Sequence, residues 1–460
     1  MPVAPDGGSG GGAGQAPRQR YLCSAAWLGE AGIGRDVAVT VAGERIAAVT
    51  PGAARQPGDI LLPGLVVPGF ANAHSHAFHR ALRGRSERGT GDFWAWRDVM
   101  YQVAERLTPG SYRDLARAAY AEMALAGITA VGEFHYLHHP PGGGRYADPN
   151  EMGRALLDAG DEAGVRVTLL DTCYLESAPG RPPEGVQARF SDGSAGAWAS
   201  RVAELAAGGA RAGAAIHSVR AVPPEAARAV AEWAAQRQVP LHFHLAEQPA
   251  EVTACLAAYG CRPATLLGRA GAFGAGSWAV HATHLDEDEV AALAASGTGV
   301  CLCPTTERDL ADGIGPARAL ARAGAALCLG SDSHAVIDPF EEMRAMEMDE
   351  RLASGQRGNW AAGELLAAAA ETGHRALGAA GDGRIAPGAR ADLVALRLRS
   401  PRLAGASVEC LAESAVFAAS PADVAYVVAG GRLIVAEGTH LLVGDVAAAL
   451  GAAVRAVLAD

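Results

Sequence analysis

Residues 65–76 have the sequence Leu-Val-Val-Pro-Gly-Phe-Ala-Asn-Ala-His-Ser-His, an apolar run that ends in polar side chains. The same arrangement recurs along the chain, and Ala-rich stretches typical of helices separate the runs. Strands that alternate with helices indicate a parallel sheet. The predicted strands span residues 65–76, 128–136, 165–174, 214–220, 239–247, 277–284, 299–304 and 325–333.

The number of these strands and the position of their polar residues favour a closed barrel. Eight strand-helix units match a (β/α)₈ barrel, in which active-site residues lie at the C-terminal ends of the strands. An open doubly wound sheet is the alternative, but no glycine-rich fingerprint follows the first strand. We therefore predict a TIM-like hydrolase barrel over residues 67–386.

The two ends of the chain have a different pattern. Short β-type runs lie at residues 37–41 and 45–49 before the barrel, and at 392–396 and 424–428 after it. We predict that residues 19–66 and 387–460 together form a small β-sandwich, with a helix at the C-terminus. Residues 1–18, rich in Gly, Pro and Ala, are predicted to be a disordered tail.

Composition excludes several classes of function. The 460 residues have a formal net charge of -11, and all 39 basic residues are arginine. Without lysine there is no Schiff-base lysine, no P-loop lysine and no carbamylated lysine between two metal ions. The acidic balance argues against nucleic acid or anionic membranes as partners. No apolar run reaches the roughly 18 residues of a membrane span, and no signal peptide is recognisable, so we expect a cytoplasmic protein that acts on a small molecule.

Several strand ends carry residues that suit a metal ion. His74 and His76 lie two residues apart, so that in a strand both imidazoles point to the same side. His244 ends the fifth predicted strand and Asp332 ends the eighth. Three imidazoles and a carboxylate can bind a divalent ion and leave room for a water molecule. His242, on the same strand as His244, is expected to pack in the core.

Two further residues suit acid-base chemistry beside such an ion. Glu247 follows His244 by three residues, and His281 ends the sixth predicted strand. A bound metal ion lowers the pKa of water from 15.7 to about 7. A neighbouring carboxylate can then move protons. His281 is either a further ligand or a catalytic imidazole, and the pattern predicts a metal-dependent hydrolase.

These residues, in their order, resemble the amidohydrolase superfamily in its deaminase branch with one metal ion. Longer segments resemble the formimidoylglutamate deiminases of that branch. The resemblance implies hydrolysis of N-formimino-L-glutamate to N-formyl-L-glutamate and ammonia, in histidine degradation, by a homodimer. The segments that carry it are residues 72–78, 93–101, 132–139, 217–222, 244–248, 281–285 and 303–307.

The resemblance also implies a role for each site residue. Glu247 would protonate the departing nitrogen, Asp332 would accept the proton of the water, and His281 would orient the reacting centre. One zinc ion would be bound, although His and Asp ligands also suit iron(II) or manganese(II). The implied zinc ligands are His74, His76, His244 and Asp332, and the implied substrate-binding residues are His79, Arg97, Tyr136, His217 and Arg220.

Three points stay open at this stage. His79 stands where the family has glutamine, which predicts an altered substrate contact. His135, His138 and His139 form a cluster that we expect in a loop and in the substrate pocket. The rival functions are a deaminase of a purine or an S-adenosyl nucleoside and a non-catalytic scaffold with the same fold. Arg220 argues against a purine, because a guanidinium suits a carboxylate better than a neutral ring.

Overall fold

The computed structural model describes residues 18–86 and 93–459, which contain two eight-stranded sheets. One sheet is a parallel barrel and the other is a mixed sheet built from both ends of the chain. The barrel strands are β5 (Phe70–Ser75), β6 (Ile128–His135), β7 (Arg166–Cys173), β8 (Ala212–Ile216), β9 (Leu241–Leu245), β10 (Ser277–His281), β11 (Gly299–Leu302) and β12 (Leu327–Leu329). The mixed sheet contains β1 (Arg18–Trp27), β2 (Ile33–Ala42), β3 (Arg45–Thr50), β4 (Ile60–Pro68), β13 (Leu393–Leu396), β14 (Val424–Ala429), β15 (Arg432–Ala436) and β16 (Thr439–His440).

The barrel closes between its first and last strands. Neighbouring strands pair in parallel from β5 to β12 in chain order. A parallel bridge joins Ser75 to Asp332, where the backbone N–H of Asp332 donates to the carbonyl of His74 at 3.0 Å. The N–H of His76 donates in turn to the carbonyl of Asp332 at 3.3 Å. The predicted barrel is therefore confirmed, and the open doubly wound sheet is excluded.

A glycine allows the closing strands to approach. A Cβ atom at Gly330 would lie 2.8 Å from the Cβ of His74 and 2.9 Å from its backbone nitrogen. Real Cβ contacts are longer than this, so a side chain at residue 330 would push the end of β12 away from β5. The close approach brings Asp332 beside His74 and His76.

Helices follow the barrel strands and cover the outside of the sheet, as the Ala-rich stretches predicted. Long helices such as α2 pack against the barrel with buried Ala, Leu, Met and Tyr side chains. No helix in the described residues is long and apolar enough to cross a bilayer. The helices are α1 (Phe93–Arg106), α2 (Pro109–Leu125), α3 (Glu151–Ala163), α4 (Ala195–Ala207), α5 (Pro224–Arg237), α6 (Pro249–Tyr259), α7 (Pro263–Arg269), α8 (Glu287–Ser296), α9 (Pro304–Asp309), α10 (Ala317–Ala323), α11 (Pro339–Ser354), α12 (Ala362–Ala367), α13 (Gly373–Ala376), α14 (Leu411–Ala418) and α15 (Val446–Leu458).

Both chain ends contribute to the mixed sheet, as predicted. Its strand order is β16-β15-β14-β13-β4-β1-β2-β3, and the two chain ends meet where β4 pairs antiparallel with β13. The predicted first barrel strand, residues 65–76, is in fact two strands. Residues 65–68 belong to β4, and the barrel begins at Phe70 after Gly69. Most of the predicted tail, residues 1–17, lies outside the described residues, and Arg18 begins β1.

Candidate active site

The C-terminal ends of the barrel strands surround a cavity of about 720 Å³ that opens to solvent. Of the eleven predicted site residues, His74 alone does not line this cavity. It lies just below, with its Nε2 atom 3.0 Å from Nε2 of His244. The predicted residues that line the cavity are His76, His79, Arg97, Tyr136, His217, Arg220, His244, Glu247, His281 and Asp332.

The predicted metal-binding side chains converge on Asp332. Its Oδ1 atom lies 3.3 Å from Nε2 of His74 and 3.2 Å from Nε2 of His76. Nitrogen and oxygen atoms bound to zinc at about 2.0–2.1 Å in a tetrahedron lie about 3.3–3.4 Å apart. The measured separations are close to this edge length. The potential ligand atoms of His74, His244, His281 and Asp332 lie within 4.8 Å of one another, a group that fits a divalent ion and that contains His281 in place of the predicted ligand His76. His76 reaches the group through Asp332, at 3.2 Å.

Backbone carbonyls orient two of the imidazoles. Nδ1 of His76 donates to the carbonyl of Phe134 at 2.9 Å, and Nδ1 of His244 donates to the carbonyl of His217 at 2.9 Å. Each ring therefore presents its Nε2 lone pair to the cluster, as metal-bound histidines do. Burial lowers the pKa of His74 to about 4 and holds that of His244 well below its usual range. Neutral imidazoles of this kind are ready to bind a cation.

The backbone around the cluster is strained. Among the described residues, His281, Asp332 and His334 have positive φ angles of 66°, 40° and 56°. Non-glycine residues seldom adopt this conformation, and each instance costs about 1–3 kcal/mol. With its positive φ angle, Asp332 places its carboxylate beside His74 and His76.

His281 is surrounded by carboxylates. Its Nδ1 atom lies 3.3 Å from Oε1 of Glu307, and its Nε2 atom lies 3.9 Å from both Glu247 Oε1 and Asp332 Oδ2. Burial alone would lower the pKa of His281, but the charges of Glu247, Glu307 and Asp332 outweigh it and hold the pKa well above its usual range. The sequence reasoning did not assign a role to Glu307. The one sequence signal for a role of Glu307 was that it ends the segment 303–307, which resembles the family.

Arg220 connects two carboxylates on one wall of the cavity. Its Nη2 atom lies 3.4 Å from Oε2 of Glu247, and its Nε atom lies 3.5 Å from Oε2 of Glu251. Glu251 is buried and accepts a hydrogen bond from the N–H of Ala246 at 3.1 Å. Burial raises the pKa of Glu251, and the charge of Arg220 partly opposes that rise. Sequence reasoning missed Glu251, whose only signal was its position four residues after Glu247.

Aromatic side chains form the rest of the wall. A hydrogen bond of 3.1 Å joins Nε2 of His79 to the hydroxyl of Tyr136, and the rings of Tyr136 and His217 are 5.4 Å apart. The guanidinium of Arg97 lies 5.3 Å from the ring centre of Tyr101. The sequence analysis did not predict that Tyr101 and Tyr174 line the cavity or that Gln187 supports them. The Gln187 amide donates to the hydroxyls of Tyr101 at 3.0 Å and Tyr174 at 2.9 Å.

The histidine cluster of residues 135–139 does not line the substrate cavity, which corrects the sequence interpretation. Side chains alternate along a strand. Phe134 contacts His74 and His244, so His135 points outward towards Gly153 of α3. His138 lies 2.9 Å from the carbonyl of Thr172, and His139 lies 3.1 Å from Asp192.

A second metal ion among these histidines is disfavoured. His135, His138 and Asp171 are close enough to act as ligands. The carboxylate of Asp171, however, already accepts hydrogen bonds from Arg201 at 2.7 and 2.8 Å and from Trp198 at 3.0 Å. The Arg201 guanidinium thus neutralises Asp171, the one carboxylate among these three residues, and leaves no negative charge for a metal ion. His242 packs as predicted, with Nε2 2.9 Å from the carbonyl of Ala376.

Comparisons with known proteins agree with this geometry. Residues 65–434 match the model of the amidohydrolase family. The chain is 38% identical over 424 residues to the formimidoylglutamate deiminase of Pseudomonas aeruginosa, an alignment that covers 89% of this chain and 93% of the relative. An amidohydrolase structure from Brucella melitensis superposes with a TM-score of 0.88 at 33% identity and covers 96% of this chain and 100% of its own. An adenosine deaminase structure from Xanthomonas campestris, with bound zinc, superposes with a TM-score of 0.82 at 25% identity. The superposition covers 95% of this chain and 97% of the adenosine deaminase chain.

Proposed function

Since the chain belongs to the amidohydrolase family, we propose that it is a metal-dependent deiminase that converts N-formimino-L-glutamate and water to N-formyl-L-glutamate and ammonia. It is a hydrolase that acts on the C–N bond of a linear amidine. The observation that carries the proposal is the presence of two arginines, Arg97 and Arg220, in the same cavity as the cluster of metal-binding side chains. A dianionic substrate entering a protein of net charge -11 needs such local cations.

The metal site is the first part of the mechanism. His74, His76, His244 and Asp332 would hold one zinc ion, for which iron(II) or manganese(II) can substitute. The bound ion would polarise a water molecule and lower its pKa to about 7. The donor distances of 3.0 to 3.3 Å and the neutral imidazoles support this assignment.

Protein side chains then move the protons. In the proposed reaction Asp332 accepts a proton from the water that attacks the formimino carbon. Glu247 delivers a proton to the formimino nitrogen as the C=N bond becomes a single bond. The hydroxyl of the adduct then gives up its remaining proton, the carboxylates pass a second proton to the same nitrogen, and the C–N bond breaks to release ammonia. His281, held at Nδ1 by Glu307 at 3.3 Å, keeps a proton on Nε2 and orients the reacting centre. Its raised pKa supports this role.

The remaining residues would fix the two ends of the substrate. We propose that Tyr136, His217 and Arg220 bind one carboxylate and that Arg97 binds the other. A guanidinium can hold a carboxylate with two parallel hydrogen bonds. His79 reaches the hydroxyl of Tyr136 at 3.1 Å, so it would act on the substrate partly by orienting Tyr136.

The alternative is a deaminase of a purine or an S-adenosyl nucleoside. The similarity to deaminases favours that reading: a 5-methylthioadenosine/S-adenosylhomocysteine deaminase shares 30% identity and an 8-oxoguanine deaminase 32%, against 38% for a formimidoylglutamate deiminase. A purine has no carboxylate to contact Arg97 and Arg220, whereas N-formimino-L-glutamate has two. The two arginines therefore support the dicarboxylate substrate.

Ammonia release tests the proposal directly. We expect rapid release from N-formimino-L-glutamate by the metal-loaded enzyme and none from guanine, adenosine or S-adenosylhomocysteine at equal concentrations. The opposite result would leave the metal site in place and overturn the substrate assignment.

A substitution at Glu247 tests its proposed role as the proton donor. Glu247→Gln is expected to abolish turnover while metal content stays the same, because the amide cannot donate the proton and Glu247 is outside the proposed ligand set. Glu225→Gln, at an exposed position on α5, is the matched control and should behave as wild type. Near-normal turnover by Glu247→Gln would remove Glu247 from the mechanism.

We also propose finer properties that follow from the family resemblance. The protein would act in histidine degradation as a cytoplasmic homodimer. Its eight free cysteines, most of them buried, support a reducing compartment. We propose two units, the hydrolase barrel predicted over residues 67–386 and the β-unit predicted for residues 19–66 and 387–460, with the first boundary moved to Gly69 because β4 ends at Pro68.

A further inference from the structure

A second cavity lies at the other end of the barrel, against the mixed sheet. It has a volume of about 840 Å³, open to solvent, and Arg166, Arg211 and Arg390 line it. Arg166 begins β7, and Arg211 immediately precedes β8. The cavity is therefore at the N-terminal ends of the strands, away from the metal-binding cluster. An adjoining cavity of about 600 Å³ shares the same three arginines. We call this pair of cavities the arginine basin.

Two acidic groups at the arginine basin, Asp392 and Asp382, are already paired with arginines, and Glu44 and Asp161 line its second cavity. Asp392 accepts from Nη1 of Arg166 at 3.0 Å and from the N–H of Gly430 at 2.6 Å, and its second oxygen also binds Arg166. Asp382 accepts from Nη1 of Arg45 at 3.2 Å and from the N–H of Arg390 at 2.9 Å. Asp392 is thus paired with Arg166, and Asp382 with Arg45.

Arg211 and Arg390 retain unused hydrogen-bond donors. Within the described residues, the Arg211 side chain makes no hydrogen bond or ion pair. Arg390 donates from Nη2 to Glu44 at 2.5 Å, but its Nε atom is buried and has no partner in the described part of the chain. Buried polar groups in native proteins nearly always have a partner. The donors of Arg211 and the Nε donor of Arg390 are therefore available to a ligand in the cavity.

The arginines also repel one another. Burial lowers the pKa of Arg390, and the charge of Arg166 adds to that effect, with a smaller contribution from Arg211. Glu44 offsets this only in part, since 65% of its side chain is exposed to water. Arg45, Arg166, Arg211 and Arg390 line the larger cavity with Asp382 as the one carboxylate in its lining, so arginine side chains outnumber carboxylates around the space.

We propose that the arginine basin binds a small anion that carries at least two negative charges on phosphate or carboxylate groups. Arg211 and Arg390 would provide the free donors, and the paired Arg166 would add charge at the rim. Guanidiniums recognise both groups with two-pronged hydrogen bonds. The site is separate from the proposed catalytic cavity, so this proposal does not rest on the proposed function.

Calorimetric titration of the full chain with inorganic phosphate, and then with pyrophosphate, tests the site. Ionic strength is held constant with chloride. We expect saturable binding of one anion per chain to wild type and at least tenfold weaker binding to Arg211→Gln. Arg357→Gln removes the same charge from an exposed arginine between α11 and α12 and should bind as wild type does.

The catalytic cavity could itself bind phosphate, so a second variant separates the two sites. Arg220→Met removes a cation from the catalytic cavity and should leave this phosphate binding unchanged. Arg211→Gln should keep the ammonia-release activity of wild type. The proposal is overturned if wild type shows no saturable binding, if Arg211→Gln binds as tightly as wild type, or if Arg220→Met rather than Arg211→Gln abolishes binding.

Discussion

Replacing Arg220 by methionine is the most direct test of how the substrate carboxylate is bound. In the structure 22% of the Arg220 side chain is exposed, and it faces the cavity between Glu247 and Glu251 at 3.4 and 3.5 Å. Truncating one partner of a buried charge pair costs about 2–5 kcal/mol. Because 1.36 kcal/mol is tenfold in rate, kcat/KM should fall by about 30-fold to 5,000-fold, mainly through KM.

The assay is steady-state ammonia release from N-formimino-L-glutamate, with metal content measured on the same samples. Arg220→Met should retain its metal, because Arg220 contacts neither the imidazoles nor Asp332 in the proposed ligand set. Arg228→Met is the matched control, since Arg228 is an exposed arginine on α5 whose one hydrogen bond to the described residues goes to the backbone carbonyl of Arg269. A KM for Arg220→Met within twofold of wild type would refute the carboxylate role and assign Arg220 to holding Glu247 in place.

Two further predictions concern stability. Gly330→Ala would place a Cβ 2.8 Å from the Cβ of His74, so we expect a loss of about 1–3 kcal/mol in the free energy of unfolding, together with less bound metal. Gly110→Ala, where the new Cβ meets no atom within 4 Å, should be tolerated in the same thermal-unfolding assay. The pKa of buried His138 is lowered to about 4, so between pH 6.5 and 4 the unfolded chain takes up a proton that the folded chain does not. His138 alone should therefore lower the free energy of unfolding by up to about 1.4 kcal/mol per pH unit on acidification. In denaturant titrations at several pH values, the free energy of unfolding of His138→Gln should depend less steeply on pH than that of wild type, and an equal pH dependence would contradict the shift.

The fold was predictable because barrel strands leave a local signal. Apolar runs that end in polar residues recur at the right spacing, and the barrel carries them in chain order. The boundary at Gly69 was not predictable. The apolar residues 65–68 and the half-polar residues 70–75 were predicted as one strand, and tertiary pairing separates them: residues 65–68 join β13 and residues 70–75 join β6.

The candidate site was predictable where residues sit at strand ends. His74, His76, His244 and Asp332 have that position, and their side chains lie together. Glu307 and Glu251 were missed because their partners, His281 and Arg220, are distant in sequence and meet them only in the folded barrel. The outward orientation of His135 was misjudged, since every residue of β6 is buried and the burial pattern of such a strand does not tell its two faces apart.

The closure of the barrel has a consequence for metal exchange. The seam between β5 and β12 is held by two backbone hydrogen bonds, and both involve Asp332. The same residue is the proposed meeting point of the ligands, so the seam cannot open without separating Asp332 from His74 and His76. Local opening of the barrel would therefore break up the proposed ligand set and favour escape of a bound ion. The lifetime of the metal complex and the hydrogen-exchange protection of the Asp332 amide should rise and fall together.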